Sequence, residues 1–162
     1  MICDMRLLVV RHGHAEPKQA WSGPDVDRPL VPRGRRQAKL LSKDLAHYGP
    51  ARVISSPSAR CRQTVQPLAN ACSLDVELSE ALAPDAGGSA LGLIDGLTGA
   101  ASSPSTIVLC THREVLVVVM PALFDEFDIK RGHRLPGGKG GTWVLDYHGS
   151  KLVAVKYQAP AA

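Results

Sequence analysis

The sequence predicts a three-layer α/β/α fold with a mainly parallel central sheet and an antiparallel edge. Three observations carry this prediction. Leu7 to Val10 and Thr106 to Cys110 are continuous apolar runs, the composition of strands buried on both faces rather than the alternation of a half-exposed strand. Stretches with helical spacing separate the strands from end to end, as parallel strands joined by crossovers require. The C-terminal stretch folds back around His148-Gly149-Ser150, which puts a hairpin at one edge.

Met5 to Arg11 is the first strand and ends in polar residues. Pro32 opens a helix to about Tyr48, with Ala38, Leu41 and Leu45 at core spacing and Arg35, Lys39 and Lys43 along a solvated face. Val53 to Ser55 reads as a short strand, and Ser58 as the N-cap of a helix to about Ala71, with Pro67 a possible kink. Leu74 to Leu78 alternates like a strand, and Gly87 to Gly99 is a small-residue helix. After a turn at Ser102 to Ser105 comes the strand Thr106 to Cys110, and then a buried helix over Val115 to Phe124. The apolar pair Phe124 and Phe127 reads as core, with an interface as the alternative. Gly137 to Gly141 is a glycine-rich loop, read as a flexible turn, and Thr142 to Asp146 with Lys151 to Tyr157 forms the terminal hairpin. With neither linker nor internal repeat, residues 1–162 read as a single domain.

A chain of 162 residues hides roughly two thirds of its surface on folding, enough for a core without disulfides or a structural metal. The four cysteines, Cys3, Cys61, Cys72 and Cys110, share no CxxC spacing and are expected to be reduced. The longest nearly apolar run, Val115 to Phe124, falls well short of the roughly 20 residues a bilayer demands. Leu7 to Val10 is too short for a signal-peptide core, so the chain reads as cytoplasmic with no membrane partner. A formal charge of +4 suits an anionic partner. The basic residues lack the interleaved aromatic rings that a single-stranded nucleic-acid platform would need, which argues against nucleic acid.

Ligands of open α/β sheets collect beyond the carboxyl ends of the strands, so the residues just after each strand are the candidates. They are Arg11, His12 and Gly13; Ser56-Pro57 and then Arg60; Glu80; and Thr111, His112 and Arg113. A single histidine at a strand end is usually structural. Two histidines and three arginines converging on one crevice suggest a doubly charged phosphoryl group, because the planar guanidinium fork matches its oxygens.

Leu7-Leu8-Val9-Val10-Arg11-His12-Gly13 resembles the signature of the histidine phosphatase superfamily, the phosphoglycerate mutase-like fold. Ser55-Ser56-Pro57-Ser58-Ala59-Arg60-Cys61-Arg62-Gln63-Thr64 is similar to its second arginine motif, and Val108-Leu109-Cys110-Thr111-His112 to its second histidine motif. The short length and the Arg28-Pro29-Leu30 element resemble the compact SixA-type phosphohistidine phosphatases. The resemblance implies a phosphatase acting on a phosphomonoester or phosphohistidine, with a small phosphorylated metabolite or a phosphohistidine protein as partner. It makes His12 the nucleophile, its second ring nitrogen held by a carbonyl near Gly13, with Arg11, Arg60 and His112 around the phosphoryl oxygens. Flanking Arg11 and Arg60 would keep His12 neutral. No metal and no cofactor are implied. Glu80 stands where the family's proton donor usually lies, with Asp85 as the other candidate, and either carboxylate also fits a solvated surface.

Two positions depart from the pattern. Val31 precedes Pro32 where the family often has a capping Thr, an omission worth about 0.5 to 2 kcal/mol of helix stability. Arg113 follows His112 where small or apolar residues are commoner, and either binds a second anionic group or faces solvent. Among rival readings, a metal site on His12, His14 and His112 is opposed by the surrounding arginines and by the missing carboxylate or cysteine ligand. Lys139, within Gly137 to Gly141, lacks the spacing of a nucleotide-binding loop. The remaining alternative is a non-catalytic module of the same fold that binds a phosphorylated ligand or a partner protein.

Overall fold

The computed structural model describes residues 4–130, 135 and 137–160. Strand β1 (Asp4–Arg11) leads into helix α1 (Pro32–Leu45), then β2 (Arg52–Ser55), α2 (Ala59–Ala71), β3 (Val76–Leu78) and α3 (Ser89–Gly99). Strand β4 (Ser105–Thr111), α4 (Arg113–Glu126), β5 (Thr142–His148) and β6 (Lys151–Gln158) complete the chain. The six strands form one sheet in the order β3-β2-β4-β1-β5-β6. β1, β2, β3 and β4 run parallel, and β5 and β6 form the antiparallel edge, with Val10 opposite Thr142 and Met5 opposite Tyr147.

The period-2 alternation of a strand divides β1 between two cores. Met5, Leu7 and Val9 face α3 and α4, in a cluster with Ile94, Leu116, Met120, Phe124 and Trp143. Leu8 and Val10 face α1 and α2, in a cluster with Leu41, Leu45, Val65 and Leu68. This is why the strand reads as continuously apolar, and it establishes the three layers. Each fully buried leucine in these layers contributes on the order of 1.5–3 kcal/mol relative to exposure. Phe124 is core, as expected, and Phe127 packs partly buried against the same cluster.

Several element boundaries shift for local reasons. Leu74 does not belong to β3, because Ser73 adopts a left-handed φ of 56° and the Leu74 amide donates to Ala69 O, closing α2. Gly87, at φ 60°, cannot be helical, so α3 begins at Ser89. Ser58 occupies the N-cap of α2 without a side-chain cap bond, and Val31 likewise leaves α1 uncapped. Both α2 and α4 run on through their internal prolines, Pro67 and Pro121. Cys61, Cys72 and Cys110 are free thiols, while Cys3 lies outside the described residues. No helix among the described residues is long and apolar enough to cross a membrane.

Candidate active site

The parallel strands β1, β2 and β4 end on one edge of the sheet, and β5, running the other way, begins there. Residues after the first three and before the fourth are therefore brought together. His12 and His112 meet edge to face with ring centroids 5.2 Å apart. Both are buried, at 9% and 1% exposure.

His12 Nδ1 lies 2.8 Å from the Gly13 carbonyl oxygen. A carbonyl only accepts, so Nδ1 carries the proton and Nε2 presents a lone pair. Burial, followed by the charges of Arg60, Arg11 and Arg28, lowers the His12 pKa to about 4 against the opposing Gly13 bond. Burial, then the charge of Arg60, lowers His112 to about 3. Both rings are neutral at pH 7. Desolvation is the larger cause and the arginine field the smaller, a reversal of the weighting the sequence suggested.

Arg60 is 2% exposed; its two terminal nitrogens donate to Asp25 O and to Asp25 Oδ2, each at 3.0 Å. Arg11 NH1 donates to Gly137 O at 2.7 Å. The Nε of each arginine is buried without a hydrogen-bond partner. Buried donors left unmatched are rare, and a pair of guanidinium N–H groups beside two neutral imidazoles fits an anion. Burial and the nearby Arg113 charge lower the Arg11 pKa.

Two parts of this site, Asp25 and the Gly137 to Gly141 loop with its latch Gln37, are not signalled as such by the sequence, and a third, Ser56, is a candidate by position with no role assigned to it. Asp25, on the segment between β1 and α1, ion-pairs with both Arg28 and Arg60 at 3.0 Å. Burial would raise its carboxyl pKa, but the Arg28 hydrogen bond and the Arg60 and Arg28 charges bring it below the usual range. The Asp25-to-Arg28 spacing of three, just after Pro24, was the available signal. Next, Gly137 to Gly141 is not a free turn. The Gly140 amide donates to both Arg11 O and His12 O, and Gly140 holds a φ of +84° there. Gln37, buried in α1, accepts from the His14 amide at 2.9 Å and donates to Lys139 O at 3.1 Å, latching this loop to the segment after β1. Its helix can approach so closely because a Cβ on Gly34 would collide with the His14 carbonyl. Finally, Ser56 Oγ lies 2.8 Å from His112 Nε2.

Gly13 donates its amide to Thr64 Oγ1, which donates in turn to Arg60 O, so the first and second motifs are tied together. Arg113 is exposed at the first turn of α4. Glu80 is exposed at the start of a short turn, Glu80–Leu82, which Thr111 Oγ1 joins to the end of β4 through a 2.7 Å bond to Leu82 O. Asp85 is exposed further along the same connection. His14 is half-buried, and no group of three His, Cys, Asp or Glu residues able to hold a metal ion occurs among the described residues.

The chain is similar to several known proteins. The 8-oxo-(d)GTP phosphatase of Mycolicibacterium smegmatis is 31% identical over 159 residues, covering 95% of this chain and 48% of that protein. A probable phosphoglycerate mutase GpmB of Serratia proteamaculans is 32% identical over 77 residues, 44% of this chain and 34% of its own. The chain thus spans half or less of the curated relatives it matches. Among solved structures, one from Agrobacterium tumefaciens, assigned as a SixA phosphohistidine phosphatase, superposes with a TM-score of 0.73 at 27% identity, covering 96% of this chain and 98% of that one. The protein histidine phosphatase SixA complexed with tungstate shares the fold at 20% identity and a TM-score of 0.69, covering 96% of each chain. The family model of the histidine phosphatase superfamily, branch 1, matches residues 7–94. That match takes in more than half of the sequence, including both arginines and the histidine that follow β1 and β2, and the chain belongs to the histidine phosphatase superfamily.

Proposed function

We propose that the protein is a metal-independent phosphatase that hydrolyses a phosphomonoester or phosphohistidine through a covalent phosphohistidine on His12. The observation that carries the reading is the fixed His12 tautomer, Nε2 unprotonated, beside two guanidinium groups whose buried Nε donors lack partners. His12 Nε2 attacks phosphorus while the bond to the leaving oxygen or nitrogen breaks. Arg11, Arg60 and His112 hold the equatorial oxygens, Gly13 holds the nucleophile, and Arg113 meets a second anionic group of the substrate. Glu80 gives a proton to the leaving group, then takes one from the water that releases inorganic phosphate. Phosphoryl transfer asks chiefly for positioning and charge stabilisation, which cations of the chain can supply without a metal. Residues 1–162 act as one domain in this reading, because the crevice draws on segments from β1 to β5.

The substrate is a small phosphorylated metabolite or a phosphohistidine protein. The name of the mycobacterial relative favours the first and the SixA-type neighbours the second. Turnover of p-nitrophenyl phosphate with excess chelator, and an acid-labile, base-stable phosphoenzyme on quenching, are the expected results. Restoration of a chelator-sensitive rate by zinc or manganese overturns metal independence. Phosphate binding without turnover or phosphoenzyme identifies the non-catalytic module instead.

A further inference from the structure

We propose that Ser56 is a positioning residue for His112: its hydroxyl donates to Nε2 and holds the imidazole in the tautomer that carries its proton on Nδ1. The inference takes its catalytic consequence from the phosphatase reading, while its hydrogen-bond argument is independent of that reading.

The argument is one of satisfying every donor. Ser56 is fully buried, and its Oγ lies 2.8 Å from His112 Nε2. The same oxygen accepts the Ser58 amide at 3.3 Å. A hydroxyl has one proton and two lone pairs. Were the imidazole proton on Nε2, the Ser56 oxygen would accept from both neighbours and its own proton would have no acceptor, away from water. Placing that proton on the hydrogen bond to Nε2 satisfies both groups. Cys61 Sγ, 3.5 Å from the same Nε2, does not upset the count, because its thiol proton has Thr111 O at 3.6 Å.

The consequence lies at the other nitrogen. No described residue hydrogen-bonds Nδ1, the edge of the ring left for the crevice and its occupant. Burial keeps His112 neutral at pH 7, so its capacity to donate depends on the tautomer and not on protonation. With Nδ1–H, the ring offers a proton to a phosphoryl oxygen; with the opposite tautomer, it would set a lone pair against a dianion.

The test is a long-range ¹H–¹⁵N correlation spectrum of the uniformly labelled full chain at pH 7. The wild type should show His112 protonated on Nδ1, with an unprotonated Nε2. Ser56→Ala should move the proton to Nε2 or produce a mixture, and lower kcat about 10- to 100-fold with KM little changed. Ser56→Thr, which retains the hydroxyl, should recover both tautomer and rate. A wild-type ring protonated on Nε2 overturns the proposal without any variant, and so does an unchanged tautomer in Ser56→Ala. Equal kinetic losses in the Ala and Thr variants, with the tautomer intact in each, also overturn it and assign the loss to packing. The expected tautomer in a protein that turns over no phosphate ester upholds the role of Ser56 and overturns the phosphatase reading.

Discussion

The two ends of the sheet treat charge in opposite ways. Where the parallel strands begin, Arg6 pairs with Asp146 at 2.7 Å and lies over the Tyr48 ring at 5.0 Å, and His148 meets Asp4 at 2.9 Å. These groups line an open groove of about 760 Å³, roomy enough for a small ligand. Where the strands end, Arg11 and Arg60 each keep a buried Nε unmatched, and two buried imidazoles remain neutral. Room alone does not mark a site; at the first end the charges satisfy each other, and at the second Asp25 meets Arg28 and Arg60 while the Nε of Arg60 and of Arg11 stays unmatched.

The comparison breaks most sharply at His12. His12→Ala should lower turnover of p-nitrophenyl phosphate by about 10⁴-fold or more, since no neighbouring group replaces the imidazole. A rate within tenfold of wild type would remove the nucleophile from the mechanism. Glu80→Gln sharpens the outer rim: an alkyl phosphate should slow by about 10² to 10⁴, while p-nitrophenyl phosphate, whose leaving group needs no proton, barely changes. Asp85→Asn should change neither. Equal losses on the two substrates would mean that Glu80 acts on positioning or folding.

Arg60→Ala should cost about 10² to 10³ in kcat, the usual effect of removing one donor from a developing charge. The matching variant at the other end, Arg6→Ala, should leave kcat within twofold.

Acid stability separates the ends next. The folded pKa values near 4 for His12 and 3 for His112 lie below the roughly 6.5 of an unfolded histidine. As pH falls below about 6.5, the unfolded chain therefore binds protons that the folded chain refuses, and stability drops through pH 4 toward 3. Thermal unfolding followed at pH 7 and pH 4.5 should show a lower Tm at the acid value, with a smaller difference in the His12→Asn, His112→Asn double variant. An unchanged difference would place the acid sensitivity elsewhere. The smallest effect belongs to the Arg6–Asp146 pair, about 40% exposed on each side, whose removal should cost no more than about 1 kcal/mol in denaturant melts.

The same contrast explains which parts of the site could be read from the sequence. Arg11, His12, Arg60 and His112 follow parallel strands, and the rule that ligands gather at carboxyl ends pointed to them directly. Gly137 to Gly141 lacks the spacing of a nucleotide-binding loop and so reads as a flexible turn; only an antiparallel β5 brings residues before a strand to that edge. The Asp25–Arg60 and Gln37–Lys139 contacts span 35 and 102 positions, separations at which no helical or strand period gives a signal, and Ser56, a candidate by its place after β2, finds its partner 56 positions away. The three layers were legible because both faces of β1 and β4 are buried. The true start of β3 was not, since it depended on the left-handed turn at Ser73.

The place of β1 in the sheet also has a consequence for how the molecule comes into being. Of the six strands, the first in sequence lies inside the sheet, and its neighbours are β4 and β5; Arg6 and Asp146, joined across β1 and β5, are separated by 140 positions. No fragment that stops before β4 and β5 can therefore pair β1, and the loop that holds the carbonyls of Arg11 and His12 follows four of the six strands. Folding of such long-range topology waits for β1 through β5 and is slower than that of a locally connected fold. Leu7 to Val10, the most apolar part of the strand, lacks its sheet neighbours throughout that interval, so it is the segment that most needs them before it can leave water.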